Sequence, residues 1–569
     1  MSIPRALTWL SAILAGVLAA AGVRAQALDG ASRDDWLHHG GTHSAWRYSA
    51  LDQINAENVS RLVPAWVFQT GDYVDGLQST PIVIDGVMYL STNSNHVIAL
   101  NAATGEQLWR YEYKGQPTVG FWVQFQPHNR GVAVEAGRVF LGTFDNYVVA
   151  LDAVTGGELW KVNVDNTAQC GCMIRSAPLI ADGKVVVGVT GGDGAFRGYI
   201  TAFDARNGRL VWRFHVIPGP GEKGNETWKG DSWKFGGGAP WSIGSYDPEL
   251  KLLYWGTGNA APDFYSGDRV VTPRHTDAGI NLYTASVVAL DVRTGKLRWY
   301  HQEVPNDVWD YDSAYEIVLF DAEIDGRPRK LLLHMNKSGV TYVQDRVNGK
   351  VLNAFVVPEA SNWIGGVTRD GKLVDRREPA VGEMRNFCPS GFMGAKSWNQ
   401  MAYSPRTGWF YTPTLETCMN IESMPQKPVE GGFFVGGTGG VVLPPGRDNY
   451  SHLDAFDPLT GERKWSYPYR YVLLASILAT AGNLVFTGNP EGFFFALDAR
   501  SGRELWRFQT GAGHRGSSVT YAVEGRQFIA TPTGWGSIIG GMAAGLFPGE
   551  GEKWRKGSAV VVFALPEGE

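Results

Sequence analysis

The chain has 569 residues, with 72 Gly, 21 Trp, 12% aromatic and only 19% charged side chains, and a formal net charge of −5 from 51 basic and 56 acidic groups. Glycine at nearly twice its usual share of about 7%, many aromatics and little charge exclude a coiled coil and a disordered chain, and suit many short strands joined by tight turns. No strong positive field is available to hold nucleic acid.

The chain begins with a targeting segment. Arg5 gives a short positive start, an apolar run extends from Ala6 to about Val23, interrupted by Gly16 and Gly22, and Val23-Arg24-Ala25 resembles a small-residue cleavage site. Residues 1–25 read as a cleaved signal peptide, leaving an exported chain from near Gln26; a retained anchor is the alternative. No later stretch approaches the length of a membrane span.

Further along, one phrase recurs: an apolar pair, Asp, a few mixed residues, Gly, then Trp four places on. It runs from Ala99 to Trp109, Ala150 to Trp160, Ala202 to Trp212, Ala289 to Trp299, Ala455 to Trp465 and Ala496 to Trp506, with weaker copies from Val343 and Ala402. Its glycines are Gly105, Gly156, Gly208, Gly295, Gly349, Gly408, Gly461 and Gly502. Each phrase reads as strand, turn, strand. A run such as Val149-Ala150-Leu151 is a buried strand, Asp bonds the backbone of its own turn, Gly takes a positive φ, and Trp sits on the returning strand. A repeat of about 50 residues with one such hairpin is a β-propeller blade, and no unit is long enough to bury a core alone. Eight copies predict an all-β fold, an eight-bladed β-propeller around a central channel, with residues 26–569 as its single domain. The 87-residue interval from Gly208 to Gly295 exceeds its neighbours and holds Trp228, Trp233, Trp241 and Gly236-Gly237-Gly238. An insertion on one rim is where a propeller binds, so function is expected near residues 190–310.

Cys170, Cys172, Cys388 and Cys418 are an even set in an exported chain, which favours disulfides. A tight ring across Cys170-Gly-Cys172 and two unpaired thiols are both open. No Cys-x-x-Cys-His occurs, so no c-type haem is attached covalently.

Three local motifs carry chemistry-bearing side chains. Thr190-Gly-Gly-Asp193-Gly-Ala-Phe-Arg197 holds an acid in a glycine-rich stretch. Trp255-Gly-Thr-Gly-Asn259-Ala-Ala-Pro262 reads as a strand ending in a glycine turn that Asn caps. Val308-Trp309-Asp310-Tyr311-Asp312 reads as an acidic loop. A carboxylate such as Asp310 is of the type that can act as a general base. Gly-x-Ser-x-Gly, Gly-x-x-x-x-Gly-Lys and His-Glu-x-x-His are all missing, and the 11 His residues are scattered, so no rival site of those kinds is expected.

With these phrases and motifs the chain, from about Trp36 to Pro566, resembles the pyrroloquinoline-quinone (PQQ) dependent alcohol dehydrogenases, methanol dehydrogenase large subunits among them, which are periplasmic eight-bladed propellers with tryptophan-docking repeats. The resemblance makes Asn259 a metal ligand, with Ala260 replacing a Pro, and Asp310 the general base, which also touches the metal. Asp193 falls where the family has a bidentate Glu, and is one methylene shorter. Asp312 matches a second Asp found in members that use trivalent lanthanides, and a large, hard trivalent ion takes more anionic oxygens than calcium. One lanthanide(III) ion is therefore expected in preference to Ca2+, on Asp193, Asn259, Asp310 and Asp312. Trp241 matches the floor beneath the flat cofactor, and Arg130 an arginine that pairs with a PQQ carboxylate. Lys337 matches the base beside the ortho-quinone oxygens, where a cation stabilises the charge of reduction. Gln78, Arg175, Ser176, Thr190, Gly191 and Gly192 complete the expected cofactor contacts, Gln78 standing where many members have Glu. Gln124-Phe125 replaces a family disulfide that roofs PQQ, so Phe125 or a shifted Cys170–Cys172 sulfur roof is expected. Cys388 and Cys418 match a second, structural disulfide.

The implied function is periplasmic oxidation of an alcohol, primary and larger than methanol, to the aldehyde. Asp310 would remove the hydroxyl proton, hydride would pass to the quinone, and electrons would leave one at a time to a separate soluble cytochrome c. Asp263, Tyr265 and Gly534-Trp535-Gly536 read as the rim of a less closed, more polar pocket than a methanol site. A homodimer is compatible with this reading; nucleic acid and a membrane span after signal removal are not expected. The alternative is a non-catalytic propeller scaffold of the cell envelope, sharing the repeats but lacking the metal and base residues.

Overall fold

A computed structural model describes residues 34–115, 128–271 and 280–567. The signal segment and Gln124-Phe125 lie outside the described residues. Among those described, eight sheets of four or five strands follow one another along the chain, antiparallel except where Tyr48–Ser49 adds in parallel to Leu478–Thr480. The first is Ile82–Ile84, Val87–Ser91, Val97–Asn101 and Gln107–Tyr111. The pattern repeats over residues 133–163, 179–215, 245–302, 318–356, 402–469 and 478–509. The last combines Val519–Val523, Arg526–Thr533 and Ala559–Ala564 with Val63–Gln69 from the other end of the chain, Trp66 facing Val562. Central strands such as Tyr147–Asp152 are buried almost throughout, as expected of strands packed on both faces. No helix among the described residues is long and apolar enough to cross a membrane.

The turn chemistry read from the phrases is present. In the second sheet Asp152 Oδ1 accepts the backbone N–H of Val154 at 3.0 Å and of Thr155 at 2.8 Å, and Gly156 has φ 71°. Gly156 is also needed for space. A Cβ there would lie 2.6 Å from the Trp109 ring of the preceding sheet, whose Nε1 donates to Ala153 O at 3.0 Å. Trp66 meets Gly105, Trp160 meets Gly208, Trp212 meets Gly295, Trp299 meets Gly349 and Trp465 meets Gly502 in the same way; Phe355 takes the place of Trp at Gly461.

One phrase is of another kind. The copy at Ala402 joins Ala402–Ser404 to Trp409–Leu415, the first two strands of their sheet, and nothing lies within 4 Å of a Cβ built on Gly408. Thr-Gly turns serve any tight hairpin, so that sequence match carries no ring contact. The last sheet has no phrase; Val63–Gln69 supplies its fourth strand and its tryptophan.

In the long interval, residues 216–244 lead into Ser245–Asp247, and the described residues 257–271 and 280–285 lie between Leu252–Gly256 and Ser286–Asp291. They are tied together where Trp228 Nε1 donates to Leu282 O at 2.7 Å and where Gly237 bridges both Arg197 and Ala260. A small sheet of Arg385–Phe387, Cys418–Ser423 and Gly437–Val442 is pinned by the Cys388–Cys418 disulfide.

Candidate active site

A cavity of about 360 Å³ draws on loops from most of the chain, from His128 to Met542. Its acidic wall is shaped by residues 307–312. Buried Asp307 accepts the backbone N–H of Trp309 at 3.0 Å on Oδ1, and those of Tyr311 at 2.8 Å and Asp312 at 3.1 Å on Oδ2. These bonds hold Asp310 at φ 63° and Asp312 at φ 39°, conformations that non-glycine residues keep only when their surroundings fix them. Trp309 and Tyr311 stack in the core, 5.7 Å apart and 10° from parallel. Asp310 and Asp312, alternating with them, line the cavity.

Lys337 Nζ lies 2.8 Å from Asp310 Oδ1 and 2.9 Å from Asp312 Oδ2. Asp312 is further held by Trp241 Nε1 at 3.1 Å and by the Asn259 N–H at 2.8 Å. The Asn259 side chain donates from Nδ2 to Asp263 Oδ1 at 2.7 Å. Its Oδ1 would be 3.1 Å from a Cβ on Gly192, so a glycine there lets the two segments approach. Asp193, Asp263, Asp310 and Asp312 thus share the wall with Lys337.

Burial pushes the Asp193 carboxyl up to about 6, with Lys337 opposing and Asp312 reinforcing the rise. Burial also drives Asp263 and Asp310 well above the usual carboxylate range. Lys337 is desolvated too, yet Asp310 and Asp312 hold its ammonium well above the usual lysine range. At 2.8 Å Asp310 and Lys337 face each other as carboxylate and ammonium. Several carboxylates around one ammonium stay ionised together only beside a further cation, and all-oxygen donors fit a hard one.

Beside these acids the cavity suits a flat anion. Trp241 meets Tyr315 edge-on, centroids 5.3 Å apart. The Arg130 guanidinium lies 5.2 Å from the Trp241 ring and 4.6 Å from that of Trp398. Arg130 Nε and Nη1 and both His128 ring nitrogens have no hydrogen-bond partner among the described residues. Burial pushes Arg130 and Arg175 down to about 9. A buried guanidinium with open N–H groups, as on Arg130, is costly; a planar ligand carrying carboxylates would match it and lie against the indole.

Of the residues singled out from sequence, Arg130, Arg175, Thr190, Gly191, Gly192, Asp193, Trp241, Asp310, Asp312 and Lys337 line this one cavity. Asn259 stands one hydrogen bond behind it. Gln78 and Ser176 are buried but not on its wall. Cys170 and Cys172 are disulfide-bonded; the neighbouring wall residue is Met173, not the sulfur pair. The expected rim needs correction. Asp263 lines the cavity, whereas Tyr265 and residues 534–536 do not, and Trp535 packs on Trp554 instead, centroids 5.1 Å apart. Ile538, Ile539 and Met542 of the helix Ser537–Gly545 form that wall with Phe392, Phe433 and Val435, so the mouth is more apolar than expected. Asp307, Tyr315 and Trp398 were missed. Asp307 has a local signal, an acid three places before the base; Tyr315 and Trp398 have none.

Among the described residues, the grouping of His, Cys, Asp and Glu whose ligand atoms all lie within 4.8 Å of one another is Glu359, Glu416 and His452, outside this cavity. Glu416 accepts the N–H of Glu359 at 2.8 Å, that of Ala360 at 2.7 Å and His452 Nε2 at 2.9 Å, while His452 Nδ1 meets Asp454 at 2.5 Å. A protonated imidazole closes that network without a metal. In the cavity the carboxylates are spread around Lys337 instead.

The family model described as the beta-propeller domain of PQQ glucose/ethanol/alcohol dehydrogenase matches residues 36–361 and 458–529. The chain is 36% identical over 549 residues to the quinoprotein alcohol dehydrogenase PedH of Pseudomonas putida, covering 92% of this chain and 89% of that protein. It is 35% identical over 535 residues to the lanthanide-dependent methanol dehydrogenase of Methylorubrum extorquens, covering 88% and 87%. Among solved structures, a europium-containing methanol dehydrogenase superposes with a TM-score of 0.87 at 31% identity, covering 94% of this chain and 98% of that one.

Proposed function

We infer the function from one premise: the chain belongs to the PQQ-dependent alcohol dehydrogenase family. It is proposed to oxidise an alcohol to the aldehyde with PQQ and one metal ion in the cavity. The observation that carries this reading is the Asp310–Lys337 pair in one cavity with Trp241 and an Arg130 whose Nε and Nη1 have no partner among the described residues. Arg130 and Arg175 would hold the carboxylates of PQQ and Trp241 its face; Asp193, Asn259 and Asp310 would hold the metal, with Asp312 beside them. Bound there, PQQ supplies the two-electron acceptor and the metal a Lewis acid.

The chain's own residues do the rest. Asp310, ionised, takes the hydroxyl proton. Lys337 neutralises Asp310 and Asp312 and places a donor where negative charge grows on reduction. The bonds from Asp307 keep Asp310 aimed into the cavity. Phe392, Phe433, Val435, Ile538 and Met542 exclude water and favour an alcohol with a carbon chain longer than that of methanol.

Several finer points belong to the same proposal. The eight sheets form an eight-bladed propeller closed by Val63–Gln69, with six tryptophans docked on the glycines Gly105, Gly156, Gly208, Gly295, Gly349 and Gly502 of neighbouring blades. The metal is a lanthanide in preference to calcium, which the extra carboxylate of Asp312 and the likeness to lanthanide-dependent relatives support. Electrons leave to a separate cytochrome c in the periplasm. The test is reconstitution of metal-stripped protein with PQQ and either calcium or lanthanum, assayed on primary alcohols of increasing chain length with cytochrome c as acceptor. Activity that requires PQQ and rises with chain length is expected. No activity with any metal would overturn the enzyme assignment; activity with calcium that lanthanum does not increase would overturn the metal preference.

A further inference from the structure

Asp263 is 1% exposed and lines the cavity. Its Oδ1 accepts the Asn259 amide at 2.7 Å. Its Oδ2 is buried and has no hydrogen-bond partner among the described residues. An unpaired, buried carboxylate oxygen costs several kcal/mol unless something meets it, and its surroundings make this one worse. The charged neighbours that act on it are Asp193, Asp310 and Asp312, with Lys337 and Arg269 as the cations; the Arg269 guanidinium is spent on the carbonyls of Pro262, Tyr265 and Asp307. Lys337 is already committed to Asp310 and Asp312, and Asp312 has both oxygens bonded, to Asn259 N and to Trp241 Nε1. Of the two acids beyond the expected Asp193 and Asp310, Asp263 is therefore the one with an uncommitted oxygen.

We propose that Asp263 Oδ2 is a direct ligand of the metal ion, and that Asp263 together with Asn259 makes this an oxygen site for a trivalent cation. The Nδ2 to Oδ1 bond also fixes the Asn259 amide, turning Asn259 Oδ1 toward Gly192 and the segment that carries Asp193. One carboxylate thus serves twice: Oδ2 meets the ion, and Oδ1 orients a neighbouring ligand. A third ionised carboxylate beside Asp193 and Asp310 matches the charge of a trivalent ion, while the tied Asp312 contributes through the field rather than by a free oxygen. This rests on the reading of the cavity as a metal and PQQ site.

The probe is Tb3+ added to chelator-stripped full-length protein, with emission sensitised by the Trp241 and Tyr315 rings on the same wall. Excited-state lifetimes in H2O and D2O count the waters on the ion. Wild type, Asp263→Asn and Asp193→Asn are titrated in parallel, and a Ca2+ competition gives the divalent affinity. Asp263→Asn is expected to weaken Tb3+ binding by about tenfold or more, to reduce Ca2+ binding less, and to add water to the bound ion. Wild-type affinity and hydration in Asp263→Asn, with binding lost in Asp193→Asn, would overturn the role of Asp263 and leave the site standing. Weaker binding with unchanged hydration would overturn direct ligation, since Asp263 would then act through Asn259 alone. No sensitised emission in wild type, or none lost in Asp193→Asn, would overturn the site and this proposal with it. Asp263→Asn keeps an oxygen for the Asn259 amide, so its unfolding midpoint without metal should stay close to that of wild type; if it does not fold, Asp263→Ser is titrated against the same criteria.

Discussion

The Asp307 carboxylate receives the backbone N–H of Asp312 at 3.1 Å on the same oxygen that holds Tyr311, while its other oxygen holds Trp309. One side chain thereby fixes a turn in which Asp310 and Asp312 both carry positive φ. Removing it strands three buried N–H groups. Asp307→Ala should cost on the order of 3–5 kcal/mol in denaturant unfolding, with Asp307→Asn losing less because one acceptor oxygen remains. In the Asn variant kcat should fall more than KM changes, since the turn aims the base rather than binding the alcohol.

Asp310→Ala removes the proton acceptor but none of the groups assigned to the cofactor. Turnover should be lost while PQQ content, read from the quinone absorbance of the purified protein, stays near wild type. Normal turnover at full loading would exclude Asp310 as the base.

Arg130→Ala and Trp241→Ala act on the groups assigned to the flat cofactor. Arg130 spans the Trp241 and Trp398 rings, and Trp241 also supports Asp312. Both variants should lose PQQ on dialysis, and Trp241→Ala should weaken metal binding as well. Stoichiometric PQQ after dialysis would count against the floor and clamp roles.

Much of this was readable from sequence because it is written locally. The Asp and Gly of each phrase set one turn, and Asn259, Asp310 and Asp312 sit in short motifs with fixed spacing. What sequence concealed is non-local. Trp398 reaches Arg130 across 268 positions of chain, and no spacing announces it. Asp263 was visible as a polar residue on a loop, but its turn inward depends on Asn259, on the pairing of Phe264 with Val435 and on glycines that let the loops close. The phrase at Ala402 misled for the converse reason: a tight-turn sequence forms its hairpin whether or not a neighbouring indole comes to rest on it.

His452 gives a prediction independent of the cavity. Burial alone would lower its pKa, but Asp454 and Glu416 win and raise it to about 9. A raised folded-state pKa means the stabilisation is fully present below the unfolded value of about 6.5 and is lost as pH climbs through about 9. The network should contribute on the order of 2–3 kcal/mol at pH 6. Unfolding free energy measured from pH 6 to pH 10 should fall in wild type across that window, and His452→Gln should flatten the slope.

The strand Val63–Gln69 pairs with Ala559–Ala564, residues separated by nearly the whole chain. Until the last strands have been made, Val63–Gln69 is a bare edge with no neighbour, the kind of surface that recruits other chains. A truncated product lacking the final strand would keep most of its sheets yet carry two unpaired edges, and should be met first by aggregation or proteolysis. Fusion of a tag is then asymmetric in risk: an extension beyond residue 567 follows a finished strand, whereas a rigid addition just before Val63 would interfere with the seam itself.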